Sequence, residues 1–343
     1  MKALFIGGTG TISAAISRLA LEKGDELFLL NRGNRNNVLP GKAREIKCDI
    51  NDEESAKRAL RDTQFDVVAD FLTFTPEQVK RDFRLFQGKT RQYIAISSAS
   101  VYQKPLAGIP ITESTPLMNP FWEYARNKIA VEQMCVKLYR EYGFPVTIVR
   151  PSHTYDERSV PLGVHGANGS YQVLKRILDG KPVIIHGDGT SLWTITHNTD
   201  FARGFYGLLG NVHAIGQAVG ITSEESVTWN QIYQFIADAL EKPLQSVHIA
   251  STFLAKTKRY DLLGSLIGDK AASVVFDMTK LKRLVPGYAA TVRADQGIRA
   301  TVEYVMTHKE CQREDPEFDA WCDRVIAAQE KALALVLDDM PEM

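Results

Sequence analysis

Short apolar runs alternate with segments of helical period over the first 150 residues, and this alternation restricts the fold more than any other feature. The apolar runs predict six strands, at 3–7, 26–31, 43–50, 65–72, 91–102 and 144–151. The helical period is found at 11–24, 52–62, 75–88 and 123–143, with Gly24 as the predicted stop of the first helix and Thr75 as the predicted cap of the third. Such an alternation predicts an α/β fold in which helices cover both faces of a parallel sheet.

Ligands of sheets of this kind bind beyond the carboxyl ends of the strands. That rule places five stretches along one edge, at 7–10, 31–35, 49, 70–74 and 97–102. We therefore expect the functional residues at this edge.

A glycine-rich turn, LFIGGTGTIS, joins the first predicted strand to the first helix. Gly7 and Gly10 let a pyrophosphate approach the backbone, and the helix N-terminus offers N–H groups and partial positive charge. Ser13 stands where the third glycine of a G-x-G-x-x-G-type turn serves helix–strand packing. The turn predicts a dinucleotide site at Gly7, Gly10, Thr11 and Ile12; the alternative is a structural turn without a ligand.

The sequence NRGNR follows the second predicted strand, where an acidic side chain would accept a hydrogen bond from the ribose 2′-hydroxyl of NAD. Arg32 and Arg35 are found there instead, and guanidinium groups pair well with a 2′-phosphate. The expected cofactor is NADP or NAD, with NADP favoured. The alternative is that both arginines are solvated and that Asn31 alone bonds the ribose.

Asp49 and Ile50 end the third predicted strand at the same edge. A carboxylate at Asp49 would accept a hydrogen bond from the adenine amino group of a cofactor. Since DINDEES is also a good helix-capping sequence, a cap at Asp49 is an equally supported alternative.

Tyr124 and Lys128 are four residues apart in YARNK, which puts them on one face of a predicted helix. A tyrosine with its ordinary pKa of about 10 is a poor base at neutral pH. A nearby ammonium and a cationic nicotinamide ring would both stabilise the phenolate and lower that pKa. A hydroxyl from the preceding ISSASVY stretch would hold the substrate oxygen beside the tyrosine.

The chain resembles the extended short-chain dehydrogenase/reductase family, the NAD-dependent epimerase/dehydratase group. The matching motifs are GGTGTIS, CDI, ISSASVY, EYARNKIAVEQM, TIVRPSHTY and HGDGTSLWTITHNTDFARGF, in family order over roughly the first 210 residues. The resemblance implies a Rossmann-type doubly wound parallel sheet with a smaller, mixed C-terminal substrate domain. The implied division is 1–164 plus about 193–214 for the dinucleotide-binding domain, and about 165–192 plus 215–343 for the substrate domain.

The resemblance also implies roles for single residues. Tyr124 matches the general acid/base, and Lys128 matches the lysine that binds the nicotinamide ribose and lowers the tyrosine pKa. Ser98 matches the catalytic serine or threonine, with its neighbour Ser97 as the alternative. Further residues implied are Ser97, Pro151 and Ser152 at the cofactor, and Tyr102, Trp122, His153 and Trp193 at the substrate. Trp122 and Trp193 are alternatively core residues.

Two departures from the family's sequence pattern narrow the range of expected activities. Ala99 and Ser100 replace the Asp-Glu pair that sugar-nucleotide 4,6-dehydratases use to eliminate water, so dehydration is not expected. Trp193 stands about where many nucleotide-sugar epimerases place an arginine for the diphosphate. The expected activity is epimerisation of a sugar or nucleotide sugar through a keto intermediate. The alternatives are an NADPH-dependent reductase or dehydrogenase and, third, a non-catalytic nucleotide- or RNA-binding protein.

Composition bears on partners and location. Lys+Arg and Asp+Glu both number 41, so the balanced charge argues against nucleic acid, and a membrane span is not expected. Four cysteines and seven histidines show no metal-ligand spacing, so no metal is expected and the thiols suit a reducing cytoplasm. A homodimer through the helix that carries Tyr124 is expected from the resemblance.

Overall fold

Seven parallel strands form one sheet within the residues that the computed structural model describes, 1–33, 43–61 and 63–337. The strands of the chain are β1 Lys2–Ile6, β2 Glu26–Asn31, β3 Arg44–Lys47, β4 Phe65–Asp70, β5 Thr90–Ile96, β6 Val146–Pro151, β7 His153–Tyr155, β8 Val183–His186, β9 Leu192–Trp193, β10 Ile195–His197, β11 Ala218–Ile221, β12 Val227–Thr228 and β13 Ser246–Ile249. The spatial order of the strands is β11-β6-β5-β4-β1-β2-β3. From β1 the chain first adds β2 and β3 on one side and then β4, β5, β6 and β11 on the other, as in a Rossmann-type sheet. The predicted fold class and the six predicted strands are confirmed.

Helices cover both faces of this sheet. The helices of the described residues are α1 Ser13–Glu22, α2 Glu53–Ala59, α3 Pro76–Phe86, α4 Glu123–Tyr142, α5 Tyr171–Leu178, α6 Asn198–Leu208, α7 Trp229–Ala239, α8 Ser251–Lys256, α9 Thr279–Leu284, α10 Ala294–Thr307 and α11 Pro316–Leu337, with a π-helix at Leu263–Lys270. Within the described ranges, every helix is too short or too polar to cross a membrane.

Alternate residues of the strands enter two cores. Phe5 of β1 packs with apolar residues of α1 and α6, whereas Leu4 packs on the opposite face with residues of α3 and α4. Both side chains are fully buried. Because each face of the strand is covered, the strands consist of continuous apolar runs, as parallel strands do.

Local signals account for several helix ends. Gly24 adopts φ +81° after α1, and Asp25 N donates to Ala20 O at 3.0 Å, which confirms the expected glycine stop. Thr75 precedes α3, and its N–H donates to Gln78 Oε1 at 3.0 Å in a capping box that confirms the predicted cap.

The chain divides into two units by its Cα positions. The first unit comprises Met1–Tyr155, Thr194–Glu225 and Val275–Val292, and the second comprises Asp156–Trp193, Ser226–Val274 and Arg293–Met343. The first includes β11, in a stretch that the sequence analysis assigned to the substrate domain. The expected domain division stays a prediction.

In the second unit, β8 pairs in parallel with β13, and β9 pairs antiparallel with β12. Trp229 of α7 is fully buried between His186 and Trp193, with ring centroids 4.9 and 5.4 Å away. The helix α11 packs through Phe318, Trp321, Cys322, Val325 and Ile326, as its apolar spacing indicates.

Asp200 joins α6 to the segment after α9 within the first unit. Its carboxylate is 1% exposed and accepts hydrogen bonds from Thr291 N at 3.0 Å and Val292 N at 2.9 Å, and it pairs with Arg203. Removing it would leave the N–H groups of Thr291 and Val292 without their acceptor.

We expect Asp200→Ala to lower the free energy of unfolding by about 1–3 kcal/mol, because Thr291 N, Val292 N and the Arg203 guanidinium lose one carboxylate partner. Urea unfolding followed by circular dichroism measures this. Asp295→Ala is the matched control, since that carboxylate is 39% exposed and pairs with Arg293 at the surface. Equal losses in the two variants would contradict the role given to Asp200.

Candidate functional site

A cleft of about 540 Å³ opens at the carboxyl ends of β1 to β4 in the first unit. Its volume suits a small organic ligand. Six residues that the sequence analysis assigned to the cofactor line it together, namely Gly7, Gly10, Asn31, Arg32, Asp49 and Ile50. The sequence pattern therefore located this cleft, and what it binds stays a prediction.

The glycine turn is closed by the side chain that interrupts its pattern. The Ser13 hydroxyl donates to Gly7 O at 2.7 Å and accepts from Gly10 N at 2.8 Å, so it ties the two glycines together. Gly7 has φ +78°, and a Cβ there would lie 2.7 Å from Leu72 Cγ, which leaves room only for glycine. Asn198 Nδ2 supports the turn from outside by donating to Thr11 O at 3.3 Å.

The turn fits a dinucleotide phosphate. Gly7 and Gly10 line the cleft, and α1 begins at Ser13, directly after the turn. A backbone without side chains and the N-terminus of a helix are the two features that bind phosphate in such turns. Ile12 lies at the N-cap position of α1, at this same helix end.

At the end of β2, Asn31 Oδ1 accepts from Gly33 N at 2.7 Å, and the exposed Arg32 lines the cleft. Arg35 lies outside the described residues. Asp49 is exposed and lines the cleft, where its Oδ1 accepts from Asn51 N at 3.0 Å. The helix-cap alternative for Asp49 is wrong, because Asp52 caps α2 by accepting from Ser55 N at 3.1 Å.

A buried charge cluster that the sequence analysis missed lies behind the residues that line the cleft. Arg81 donates to Asp82 Oδ1 at 2.8 Å, to Asp70 Oδ2 at 3.1 Å and to Asn51 Oδ1 at 2.9 Å. Asp70 in turn accepts from Leu72 N at 2.6 Å, and burial raises the pKa of Asp82. Arg81 thus joins the two walls of the cleft that Asn51 and Leu72 provide.

Lys128 of α4 is 2% exposed, and its ammonium points to the ends of two strands. Nζ donates to Thr73 O at 2.6 Å and to Ile96 O at 2.7 Å. An ammonium carries three hydrogens, so one remains for a ligand. The Phe74 ring, which lines the cleft, has its centroid 4.4 Å from Nζ.

Tyr124 lies one helical turn before Lys128, and its ring centroid is 5.8 Å from the ammonium. Trp122 packs on the same ring at 4.9 Å, and both aromatic side chains are half-buried. The structure therefore brings the predicted pair together and adds Trp122 beside it.

The serine loop separates its two hydroxyls. Ser98 Oγ accepts from Ser100 N at 3.1 Å and from Ser100 Oγ at 2.9 Å, so its own hydrogen remains available to a substrate oxygen. Ser97 is 1% exposed and donates to Glu132 Oε1 at 2.5 Å. This geometry favours Ser98 over Ser97 as the substrate-facing hydroxyl, and the role of either stays a prediction.

Glu132 and Arg150 form a buried ion pair behind the serine loop, and the sequence analysis assigned neither of them a role. Arg150 Nη2 lies 2.6 Å from Glu132 Oε2, and Nε donates to Oε1 at 2.9 Å. Glu132 follows Lys128 by four residues, so the spacing that revealed Tyr124 and Lys128 also points to it.

The other predicted residues have different surroundings. Tyr102 is 2% exposed, burial raises its pKa to about 12, and Arg150 Nη1 donates to its hydroxyl at 3.3 Å. Trp193 is 3% exposed in the second unit, stacked on Trp229. Both side chains are packed in the cores of their units, and their predicted role at a substrate is untested.

Three predicted residues follow one another at the end of β6 and in β7. Pro151 is buried, Ser152 Oγ donates to Thr194 O at 3.2 Å, and His153 is half-buried. Over the described ranges, His, Cys, Asp and Glu side chains form no group of three or more able to hold a metal.

Residues 3–221 match the NAD dependent epimerase/dehydratase family. The 2′-dehydrokanamycin reductase of Streptomyces kanamyceticus is 24% identical over 298 residues, which are 84% of this chain and 80% of the reductase. The chloroplast stem-loop binding protein of 41 kDa b from Arabidopsis thaliana is 27% identical over 251 residues, 69% of this chain and 63% of that protein.

Among solved structures, UDP-glucuronic acid 4-epimerase from Bacillus cereus in complex with UDP-glucuronic acid and NAD has a TM-score of 0.72. Its sequence is 20% identical, and the superposition covers 90% of this chain and 99% of the epimerase. At this level of identity the likeness shows the fold.

The buried Lys128 makes stability depend on pH. Burial lowers the pKa of Lys128 from its usual 10.5 to about 8. The folded protein therefore loses this proton at lower pH than the unfolded chain does. Unfolding takes up a proton between these two values, and stability rises with pH across that window.

We expect the free energy of unfolding of the ligand-free protein to rise by about 2 kcal/mol between pH 8 and pH 10, relative to a Lys128→Met variant. Urea unfolding at a series of pH values measures the difference. Lys137→Met changes a 57% exposed lysine of the same helix and should leave the slope unchanged. Parallel curves for the native protein and Lys128→Met would contradict the effect of burial.

Proposed function

Because the chain belongs to the NAD dependent epimerase/dehydratase family, we propose that it is an NAD(P)-dependent epimerase of a sugar or nucleotide sugar. The observation that carries the proposal is the Lys128 ammonium, held by two carbonyl oxygens at 2.6 and 2.7 Å beside the Tyr124 ring. This arrangement stabilises a tyrosine phenolate, the base that oxidation of a carbinol requires.

The proposed binding mode follows the cleft. The turn at Gly7, Gly10, Thr11 and Ile12 holds the pyrophosphate. The adenosine is held by Asn31, Arg32, Asp49 and Ile50, and the nicotinamide riboside by Ser97, Tyr124, Lys128, Pro151 and Ser152. When bound, the oxidised cofactor supplies a hydride acceptor that can return the hydride.

In the proposed mechanism the Tyr124 phenolate removes the proton of a sugar hydroxyl, and the carbon that carries this hydroxyl is oxidised to a ketone. Ser98 donates its hydrogen bond to the same oxygen and fixes its position. Lys128 lowers the tyrosine pKa through its positive charge. Tyr124 later returns the proton to the oxygen, after the carbon has accepted hydride on its opposite face, and this completes the inversion.

The proposed substrate is a sugar or nucleotide sugar, the class to which the ligand of the Bacillus cereus structure belongs. Trp122, half-buried against Tyr124, offers an aromatic face beside the reacting carbon, a surface on which sugar rings stack. Tyr102 and His153 are the further substrate residues of the proposal. Ala99 and Ser100 provide no carboxylate for water elimination, which favours epimerisation over dehydration.

The second candidate is a reductase or dehydrogenase that exchanges its cofactor with the medium. It is supported by the likeness to 2′-dehydrokanamycin reductase and by Arg32, which suits NADPH. Chromatography of the cofactor released from the purified, denatured protein distinguishes the epimerase from the reductase. We expect oxidised cofactor near one equivalent per chain for the epimerase, and an empty site that binds NADPH would favour the reductase.

We also propose that the protein is a cytoplasmic homodimer that binds no nucleic acid. Its four cysteines are free, as in a reducing compartment. The helix α4 exposes Val136, Tyr139 and Tyr142, an apolar surface that a second copy would cover. Light scattering measures the mass, and a monomer at micromolar concentration would contradict the dimer.

We expect Tyr124→Phe to lower turnover by about 10²–10⁴-fold while cofactor affinity changes little, because only the proton-transferring hydroxyl is lost. The assay uses a nucleotide sugar or sugar phosphate identified by thermal-shift screening. Tyr142→Phe is the matched control, since that tyrosine ends the same helix and is 56% exposed. Unchanged activity in Tyr124→Phe would overturn the mechanism.

A further inference from the structure

The carbonyl group that receives the ammonium of Lys128 belongs to a segment held by buried side chains. This segment follows β4 and contains Thr73, whose carbonyl oxygen accepts from Lys128 Nζ at 2.6 Å. One residue earlier, Leu72 N donates to Asp70 Oδ1 at 2.6 Å. Thr73 is fully buried, and its hydroxyl oxygen lies 3.3 Å from the hydroxyl oxygen of Tyr93 in β5. Thr73 therefore contacts the ammonium through its backbone and the tyrosine through its side chain.

Tyr93 extends this chain of hydrogen bonds into α3. Its side chain is fully buried, and its hydroxyl donates to Asp82 Oδ2 at 2.6 Å. Because a phenol has one hydrogen, the Tyr93 oxygen accepts on its other side, and the Thr73 hydroxyl is the donor there. Asp82 is fully buried as well, and its Oδ1 accepts from Arg81 Nε at 2.8 Å. The chain therefore has one direction, from Thr73 through Tyr93 to Asp82.

We propose that Tyr93 is a positioning residue of the reaction, which holds the Thr73 carbonyl against Lys128 and thereby keeps the ammonium beside the Tyr124 ring. A bond from Lys128 to a backbone oxygen forms with any side chain at position 73. The Thr73 hydroxyl, bonded to Tyr93, adds a fixed position for that oxygen. This inference rests on the proposed function in one respect, that Lys128 acts on Tyr124.

Tyr93 can be changed without changing any charge near Lys128. Burial raises the pKa of the Tyr93 hydroxyl above its ordinary value, so this hydroxyl is neutral. A change in the ionisation of Tyr124 after Tyr93→Phe therefore reports a change of position. The charged and titratable groups that face Lys128, or lie directly behind those that do, are Asp70 at the end of β4, Arg81 and Asp82 of α3, Glu132 and Cys135 of α4, and Arg150 of β6.

The test follows the ultraviolet absorbance of tyrosinate against pH, on full-length protein. Each variant is compared with the same variant carrying Tyr124→Phe in addition, so the difference is the ionisation of Tyr124 alone. We expect Tyr93→Phe to raise the pH of this ionisation by about half a unit, because the attraction between an ammonium and a phenolate weakens with distance. Thr73→Val should cause the same shift, and Thr73→Ser, which keeps the hydroxyl, should cause a smaller one.

Tyr233→Phe is the matched control, because Tyr233 is also fully buried but belongs to α7 in the second unit. It should leave the ionisation of Tyr124 unchanged. If Tyr93→Phe unfolds at lower urea concentration while Tyr124 ionises at the native pH, Tyr93 is purely structural and the inference is overturned. If Tyr93→Phe does not fold, equal shifts in Thr73→Val and Thr73→Ser overturn it. Turnover retained in Tyr124→Phe would overturn the proposed function separately, whatever the titration shows.

Discussion

One buried ammonium connects the elements on which the candidate site depends. Lys128 extends from α4 to carbonyl oxygens that follow β4 and end β5, at 2.6 and 2.7 Å. A charge so deeply buried is costly unless polar groups surround it, and here main-chain oxygens take that part. Since both bonds go to backbone, they fix the helix to the sheet edge whatever side chains occupy those positions. The position of Tyr124 one turn earlier follows from this anchor.

Glu132 lies on the same helical face, one turn after Lys128, and contacts the serine loop. It accepts from Ser97 and pairs with Arg150, so the loop containing Ser98 is attached to the helix containing Tyr124. Together, Lys128 and Glu132 place a hydroxyl loop, a tyrosine and two strand ends within one rigid arrangement. A buried ion pair of this kind fixes the relative position of the loop and the helix and adds little net stability.

The features that the sequence predicted are mostly local. The strands, the glycine turn, the cap at Thr75 and the stop at Gly24 each depend on residues close together in the chain. Asn31, Arg32 and Asp49 were found because the carboxyl ends of parallel strands share one edge. The short strands β7 and β11 escaped detection because they exist through pairing with distant segments.

The misses inside the site have a similar cause. Arg81 and Asp82 are charged residues in an amphipathic helix, and such residues normally face solvent; only the fold brings Asp70 and Asn51 to them. The cap assigned equally to Asp49 falls on Asp52, three residues on, because both fit the same capping sequence. Partners of buried charges are set by tertiary contact, which periodicity does not encode.

Ser13 has a consequence for how the turn meets an anion. By accepting from Gly10 N and donating to Gly7 O, its hydroxyl takes up one amide hydrogen and one carbonyl oxygen inside the loop. The N–H group of Gly10 is therefore engaged within the loop, and the N–H groups left for an anion are those of the first turn of α1. Binding of the proposed phosphate would then depend less on a bare glycine backbone and more on the partial positive charge of the helix end. A serine in the place of a glycine therefore shifts the amide donors that the turn leaves open towards the start of α1.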